Sequence, residues 1–122
     1  MRPGKPAWLG RVGNAFVVGL PGNPTSALIT ARLFLVPLLA RLQGRAEQET
    51  LDWEPARLAV PLPSCDGRET FHRAVLRDGM ATLVEFQESH AQQALAQSNC
   101  LIRQAANSAP ISAGEAVSVL RL

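Results

Sequence analysis

A chain of 122 residues, 47% apolar and 18% charged, has room for one modest domain or two small ones, and carries too much apolar side chain to stay disordered. Its net charge of +2, with scattered arginines and no tyrosine, excludes a basic nucleic-acid binder that stacks bases on an aromatic platform. The longest apolar run, residues 33–40, is far shorter than the roughly 18 residues a membrane span needs.

The opening residues, from Met1-Arg2-Pro3 to Gly4-Lys5-Pro6, lack the apolar stretch of a secretory signal. Cys65 and Cys100 show neither CxxC spacing nor a secretory context, so a reduced, cytoplasmic protein is expected. His72 and His90 form no ligand pair with either cysteine, which leaves no zinc pattern. Charge is uneven along the chain. Residues 1–46 hold Arg2, Lys5, Arg11, Arg32, Arg41 and Arg45 and no carboxylate, whereas the remainder sets six arginines against ten carboxylates, beginning at Glu47. A segment without fixed negative charge has a field that favours anionic ligands, although solvated arginines alone account for the same pattern.

In chain order, Trp8-Leu9-Gly10 and residues 15–20 are short β-prone runs around the turn Gly13-Asn14. The chain breaks at Pro21-Gly22-Asn23-Pro24, where Asn23 suits an N-cap and Pro24 the first helical position. A helix over 25–43 follows, with Gly44 as its stop. Its leucines surround most of the circumference, which predicts a largely buried helix, and Pro37 should remove one backbone bond and bend it. Residues 45–54 turn polar and acidic and read as a linker. Strands are expected over 57–62, 69–76, 81–86, 100–103 and 115–122, separated by turn signals such as Asp78-Gly79 and Asn107-Ser108; residues 89–98 read as a loop with a helical turn. Such spacing predicts a small β-barrel or sandwich. One strand-loop-helix cannot make a parallel α/β sheet domain alone, so the chain is expected to be the C-terminal part of something longer.

The stiff loop Pro21-Gly22-Asn23-Pro24 delivers backbone N–H groups and the Ser26 hydroxyl to the positive end of a helix, where a phosphate or oxyanion can bind. It has neither a Walker pattern nor a nucleophile elbow. A rigid turn in which Ser26 only caps or packs is the other reading.

Lys5-Pro6 in its Arg2-Pro3-Gly4 context, followed by Gly19-Leu20-Pro21-Gly22-Asn23-Pro24-Thr25-Ser26-Ala27, resembles the molybdopterin molybdenumtransferase family, the MoeA and gephyrin E-domain proteins. Pro37 stands where that family's helix carries its proline. Phe71-His72-Arg73 is similar to the family's phenylalanine-x-arginine strand, and Ser98-Asn99-Cys100 and Ala113-Gly114-Glu115 to its last barrel strands. The resemblance implies residues 1–46 as the end of an α/β, MogA-like molybdopterin-binding domain and residues 47–122 as a C-terminal β-barrel domain. It implies an enzyme that inserts molybdate into adenylylated molybdopterin and releases AMP, with Mg²⁺ assisting, as a homodimer whose first domains are missing from this chain.

Carried over by position, the molybdate pocket falls on Arg2, Lys5, Ser26, Arg73 and Ser89, with Pro21, Gly22, Asn23 and Pro24 as the phosphate loop. A tetrahedral dianion needs several donors, and Arg, Lys and Ser supply them. Arg2 stands where the family has lysine, and Glu88 lies beside Ser89. The family's catalytic, Mg²⁺-binding acids lie upstream, and no acid precedes Glu47, so the isolated chain is expected to be inactive. A non-catalytic oxyanion-binding or interaction module derived from the family is the alternative. His72, His90 and Cys65 show no partner in the sequence, Trp8 and Trp53 read as packing anchors, and Asp66, Glu69 and Asp78 as solvated turn and edge charges.

Overall fold

Gly13, at φ 59°, makes the turn that folds β1 (Trp8–Val12) onto β2 (Ala15–Gly19). The hairpin runs in antiparallel register from Trp8 opposite Gly19 to Val12 opposite Ala15. The indole of Trp8 lies against Gly19, where an added Cβ would collide with the ring. The computed structural model describes residues 7–84 and 96–122. These form two units, 7–51 and 52–122.

In the first unit the chain leaves β2 through Pro21-Gly22 and enters α1 (Pro24–Thr30). Asn23 caps it as the sequence predicts: its Oδ1 accepts from the Thr25 N–H at 3.0 Å and the Ser26 N–H at 3.3 Å. A π turn (Ala31–Leu35) joins α1 to α2 (Val36–Leu42), and the Val36 N–H reaches back five residues to the Ala31 carbonyl. The disturbance expected from Pro37 therefore appears as a wide turn just before it, where the proline has no N–H to offer the preceding turn. The helix ends in a Schellman arrangement: Arg45 N–H to Ala40 O at 2.9 Å and Gly44 N–H to Arg41 O at 3.0 Å, with Gly44 at φ 77°.

Burial along this helix departs from expectation. Thr25, Ile29, Leu33 and Pro37 recur every four residues as one buried stripe, yet Leu28, Phe34, Val36, Leu39 and Leu42 are exposed. The unit has one layer of helix and two strands, too little to cover a helix that is apolar all round. By length and composition, residues 24–42 are apolar enough to cross a membrane, as are some core helices. The linker expected over 45–54 starts as a 3₁₀ turn (Glu47–Glu49), with Arg45 paired to Glu49 at 3.1 Å, and the units divide after Leu51 rather than after residue 46.

The second unit is a closed five-stranded barrel of β3 (Glu54–Leu58), β4 (Thr70–Arg77), β5 (Met80–Leu83), β6 (Cys100–Gln104) and β7 (Ala116–Arg121), in the order β3-β5-β4-β6-β7. β3 closes it, antiparallel to β7 and parallel to β5 through Arg57 and Leu58. The remaining pairs are antiparallel. Asp78 and Gly79, both at positive φ, turn β4 into β5. The strand expected over 57–62 ends at Leu58, and Leu62 instead bridges to Ile111. Residues 85–95, including the end of the strand expected over 81–86 and most of the loop expected over 89–98, lie outside the described residues. The interior alternates small Ala56, Ala74, Ala81 and Cys100 with larger Leu58, Leu62, Leu76, Ile102, Val117 and Val119, so it is a packed core rather than a channel.

Candidate oxyanion site

The phosphate-loop residues Pro21, Gly22, Asn23 and Pro24 and the helix-start Ser26 belong to the first unit. Pro21 is buried, and Gly22, Asn23 and Pro24 are exposed. The N–H groups that the loop was expected to offer an anion are taken up locally. Thr25 and Ser26 donate to the Asn23 side chain, and Ala27 donates to the Asn23 carbonyl at 2.9 Å. The helix terminus is therefore capped, as Asn23 leads one to expect, because an asparagine at this position satisfies the Thr25 and Ser26 donors itself. The half-buried Ser26 side chain contributes a hydroxyl at the same helix start.

Arg73 belongs to the second unit, on β4 opposite Leu101 of β6, with its carbonyl accepting from Val84 N–H at 3.0 Å. Strand alternation sets it on the face away from the Ala74 and Leu76 interior, yet only 8% of it is exposed. Burial pulls its guanidinium below the ordinary arginine pKa. Arg32, in the π turn, is also lowered by burial, and sequence reasoning did not single it out. Arg2, Lys5 and Ser89, with His90, lie outside the described residues.

His72 has the partner the sequence did not reveal. Its Nε2 lies 2.8 Å from Gln104 Oε1, and Gln104 Nε2 donates to Pro63 O and Ser108 Oγ, both at 2.8 Å. The Pro63 carbonyl can only accept, so the amide nitrogen must face it; the amide oxygen then faces His72, whose Nε2 carries the proton. Cys65 Sγ donates to Ala105 O at 2.9 Å and lies 3.7 Å from Ser108 Oγ, closing a polar cluster at one end of the barrel. Trp53 acts as a packing anchor as expected, 6.0 Å from Phe71 and under the Arg103 guanidinium. Glu69, expected as a solvated edge charge, pairs with Arg103. Trp8, the other expected anchor, covers Gly19 while remaining 58% exposed.

The barrel identifies the class. The family described as the MoeA C-terminal region (domain IV) matches residues 55–122, and the chain belongs to it. Over 98% of its length the chain is 36% identical to the molybdopterin molybdenumtransferase of Haemophilus influenzae, of which it covers 31%. It is 33% identical, over the same share of its length, to molybdopterin molybdenumtransferase 2 of Mycobacterium tuberculosis, covering 30% of that protein. The crystal structure of a molybdopterin biosynthesis MoeA protein from Pyrococcus horikoshii superposes with a TM-score of 0.84 at 31% identity, covering 98% of this chain and 29% of that one. A molybdenum cofactor biosynthesis protein from Pyrococcus furiosus gives 0.76 at 30% identity, covering 97% and 41%. The chain therefore spans about a third of the length of these curated relatives.

Proposed function

We propose that the chain is the C-terminal segment of a molybdopterin molybdenumtransferase, which inserts molybdate into adenylylated molybdopterin in molybdenum cofactor biosynthesis and releases AMP. The observation that carries this reading is the match of nearly the whole chain to one end of proteins bearing that name. On this reading, the first unit, ending at Leu51, closes an α/β molybdopterin-binding domain and residues 52–122 form the C-terminal barrel domain. The full enzyme is a cytoplasmic homodimer. Arg2, Lys5, Ser26, Arg73 and Ser89 bind molybdate, and the loop Pro21 to Pro24 faces the pterin phosphate.

The chemistry asked of these residues is binding rather than bond-breaking. Molybdate is a tetrahedral dianion, and guanidinium, ammonium and hydroxyl donors hold it without competing acceptors. Mg²⁺ takes oxygen ligands, chiefly carboxylates. Among the described residues, no three His, Cys, Asp or Glu side chains converge where a metal could sit. No step through Mg²⁺ is assigned to this chain, and the isolated segment is expected not to turn over.

Calorimetric titration with molybdate, with sulfate as competitor, tests the binding role. Saturable binding that is lost in both Lys5→Ala and Arg73→Ala supports the pocket. No binding by a chain shown to be folded rejects it and favours an interaction module derived from the family. The Asn23 side chain, which already occupies the helix-start donors, is the observation that keeps that second reading alive.

A further inference from the structure

The outer face of the barrel is dry around Arg73, where a strand surface is ordinarily wet. Ala74 and Leu76 on β4, Cys100 and Ile102 on β6, and Val117 and Val119 on β7 belong to the interior. Strand alternation therefore turns Arg73, Leu101 and Leu120 outward. The register sets these three in one row across the strands, Arg73 opposite Leu101 and Leu101 opposite Leu120. Leu101 and Leu120 are 0% and 1% exposed, beside Arg73 at 8%. In the next row Phe71 is also buried, whereas Arg103 and Ser118 are exposed. Arg73 thus ends an apolar row, with Leu101 across from it and Phe71 two residues before it on the same face.

Trp53 extends this apolar surround from outside the strands. Its ring lies 6.0 Å from Phe71 at a tilt of 34°. Arg103 covers the indole in turn, with its guanidinium 5.8 Å from the ring centroid and its Nε bound to Glu69. An anion that reaches Arg73 gives up part of its water to these apolar neighbours. The cost of that loss falls as the ion grows, because the same charge is spread over more surface. Molybdate is a larger tetrahedral dianion than sulfate, so an apolar surround penalises sulfate more.

We propose that Phe71, Leu101 and Trp53 form an apolar collar around Arg73 that sets oxyanion specificity, favouring the larger, more weakly hydrated molybdate over sulfate. Arg73 supplies the attraction that both dianions share, and the collar supplies the difference between them. Trp53 acts through Phe71 and is a positioning residue. The inference rests on the proposed role of Arg73 in binding molybdate and adds to it what selects the anion.

Calorimetric titration of the full chain with molybdate and, separately, with sulfate gives the affinity ratio that tests this, with circular dichroism to show that each variant is folded. The ratio should favour molybdate. Trp53→Ala opens the Phe71 side of the collar and leaves the barrel interior alone; it should lower the ratio about three- to tenfold, the scale of one polar contact gaining water. Phe71→Leu, which reshapes the collar but keeps it apolar, should lower it less, and Trp53→Phe should restore it. Arg103→Met keeps a long side chain over the indole and removes only the charge, so it should weaken both dianions alike and leave the ratio unchanged. A wild-type ratio near one, a Trp53→Ala ratio equal to wild type, or a loss of selectivity in Arg103→Met as large as in Trp53→Ala would each overturn the proposal. If neither anion binds, the molybdate-binding role fails and the collar with it; if molybdate binds and the ratio does not move, only the collar fails.

Discussion

The barrel and the hairpin-helix unit are made from similar amounts of apolar side chain and reach opposite outcomes. In the barrel the apolar residues alternate along five strands, and closure points one set inward, so that Leu58, Ala74, Ala81, Cys100, Ile102 and Val119 lose all contact with water. Val60, Met80 and Leu122 are the large hydrophobics it leaves more than a third exposed among the described residues. In the first unit, one helix and two strands enclose a narrow stripe and leave Trp8, Leu9, Val12, Phe34, Leu39 and Leu42 outside. The difference lies in closure rather than composition. A sheet that closes on itself supplies its own second layer, and an open hairpin must be given one.

The largest test of this contrast is to cut the chain between the units. Residues 52–122 are expected to fold alone and unfold cooperatively, while residues 1–51 alone should lack a cooperative transition and bind an apolar dye; circular dichroism with thermal melting reads both. A paired substitution comes next. Ile102→Ala, at a fully buried barrel position, should cost about 2–5 kcal/mol in urea denaturation. Leu39→Ala, 48% exposed on the helix, should stay within about 0.5 kcal/mol in the isolated chain. If Leu39→Ala were the costlier change, the helix face would already be covered and the contrast would fail.

A smaller effect probes the polar end of the barrel. Gln104→Leu removes the acceptor for His72 and the donor to Pro63 and Ser108, and is expected to cost about 1–3 kcal/mol through those stranded groups. Nitrogen NMR of His72 should at the same time lose the fixed Nε2–H tautomer. The smallest expected effect depends on pH. Burial raises the Cys100 thiol from 9.0 to about 11, with Arg121 opposing and Glu54 adding to the rise. The unfolded chain therefore gives up this proton first, so the Cys100 contribution is intact below pH 9 and is lost as pH climbs toward 11. Cys100→Ala should flatten that part of the stability profile.

Much of the local structure could be read directly from residue order, because its causes lie within a few residues. Asn23 and Pro24 start the helix and Gly44 stops it, while Asp78-Gly79 turns β4 into β5, each through a side chain or a φ preference acting on its own neighbourhood. The strand ends were less legible. Nothing in residues 57–62 says that the ladder stops at Leu58, because that depends on where Ile111 returns to meet Leu62. The His72–Gln104 contact was likewise hidden. Thirty-two residues separate the two, and only the β4–β6 register brings their side chains to the same end of the barrel.

For the candidate site, the sequence by itself determined which residue types are present and where the helix cap falls. Asn23, Pro24 and Ser26 can be placed at the helix start without any knowledge of the rest of the chain. Tertiary structure decided their condition. It buried Arg73 on the outer face of a strand, where alternation alone would have left it in water. It also left Leu28, Leu39 and Leu42 exposed, leucines that an all-round apolar pattern had assigned to a core. Caps and turns are settled by short-range sterics and hydrogen bonds. Burial is settled by whatever second layer the fold provides, and that information is spread over the whole chain and over any segment that packs against it.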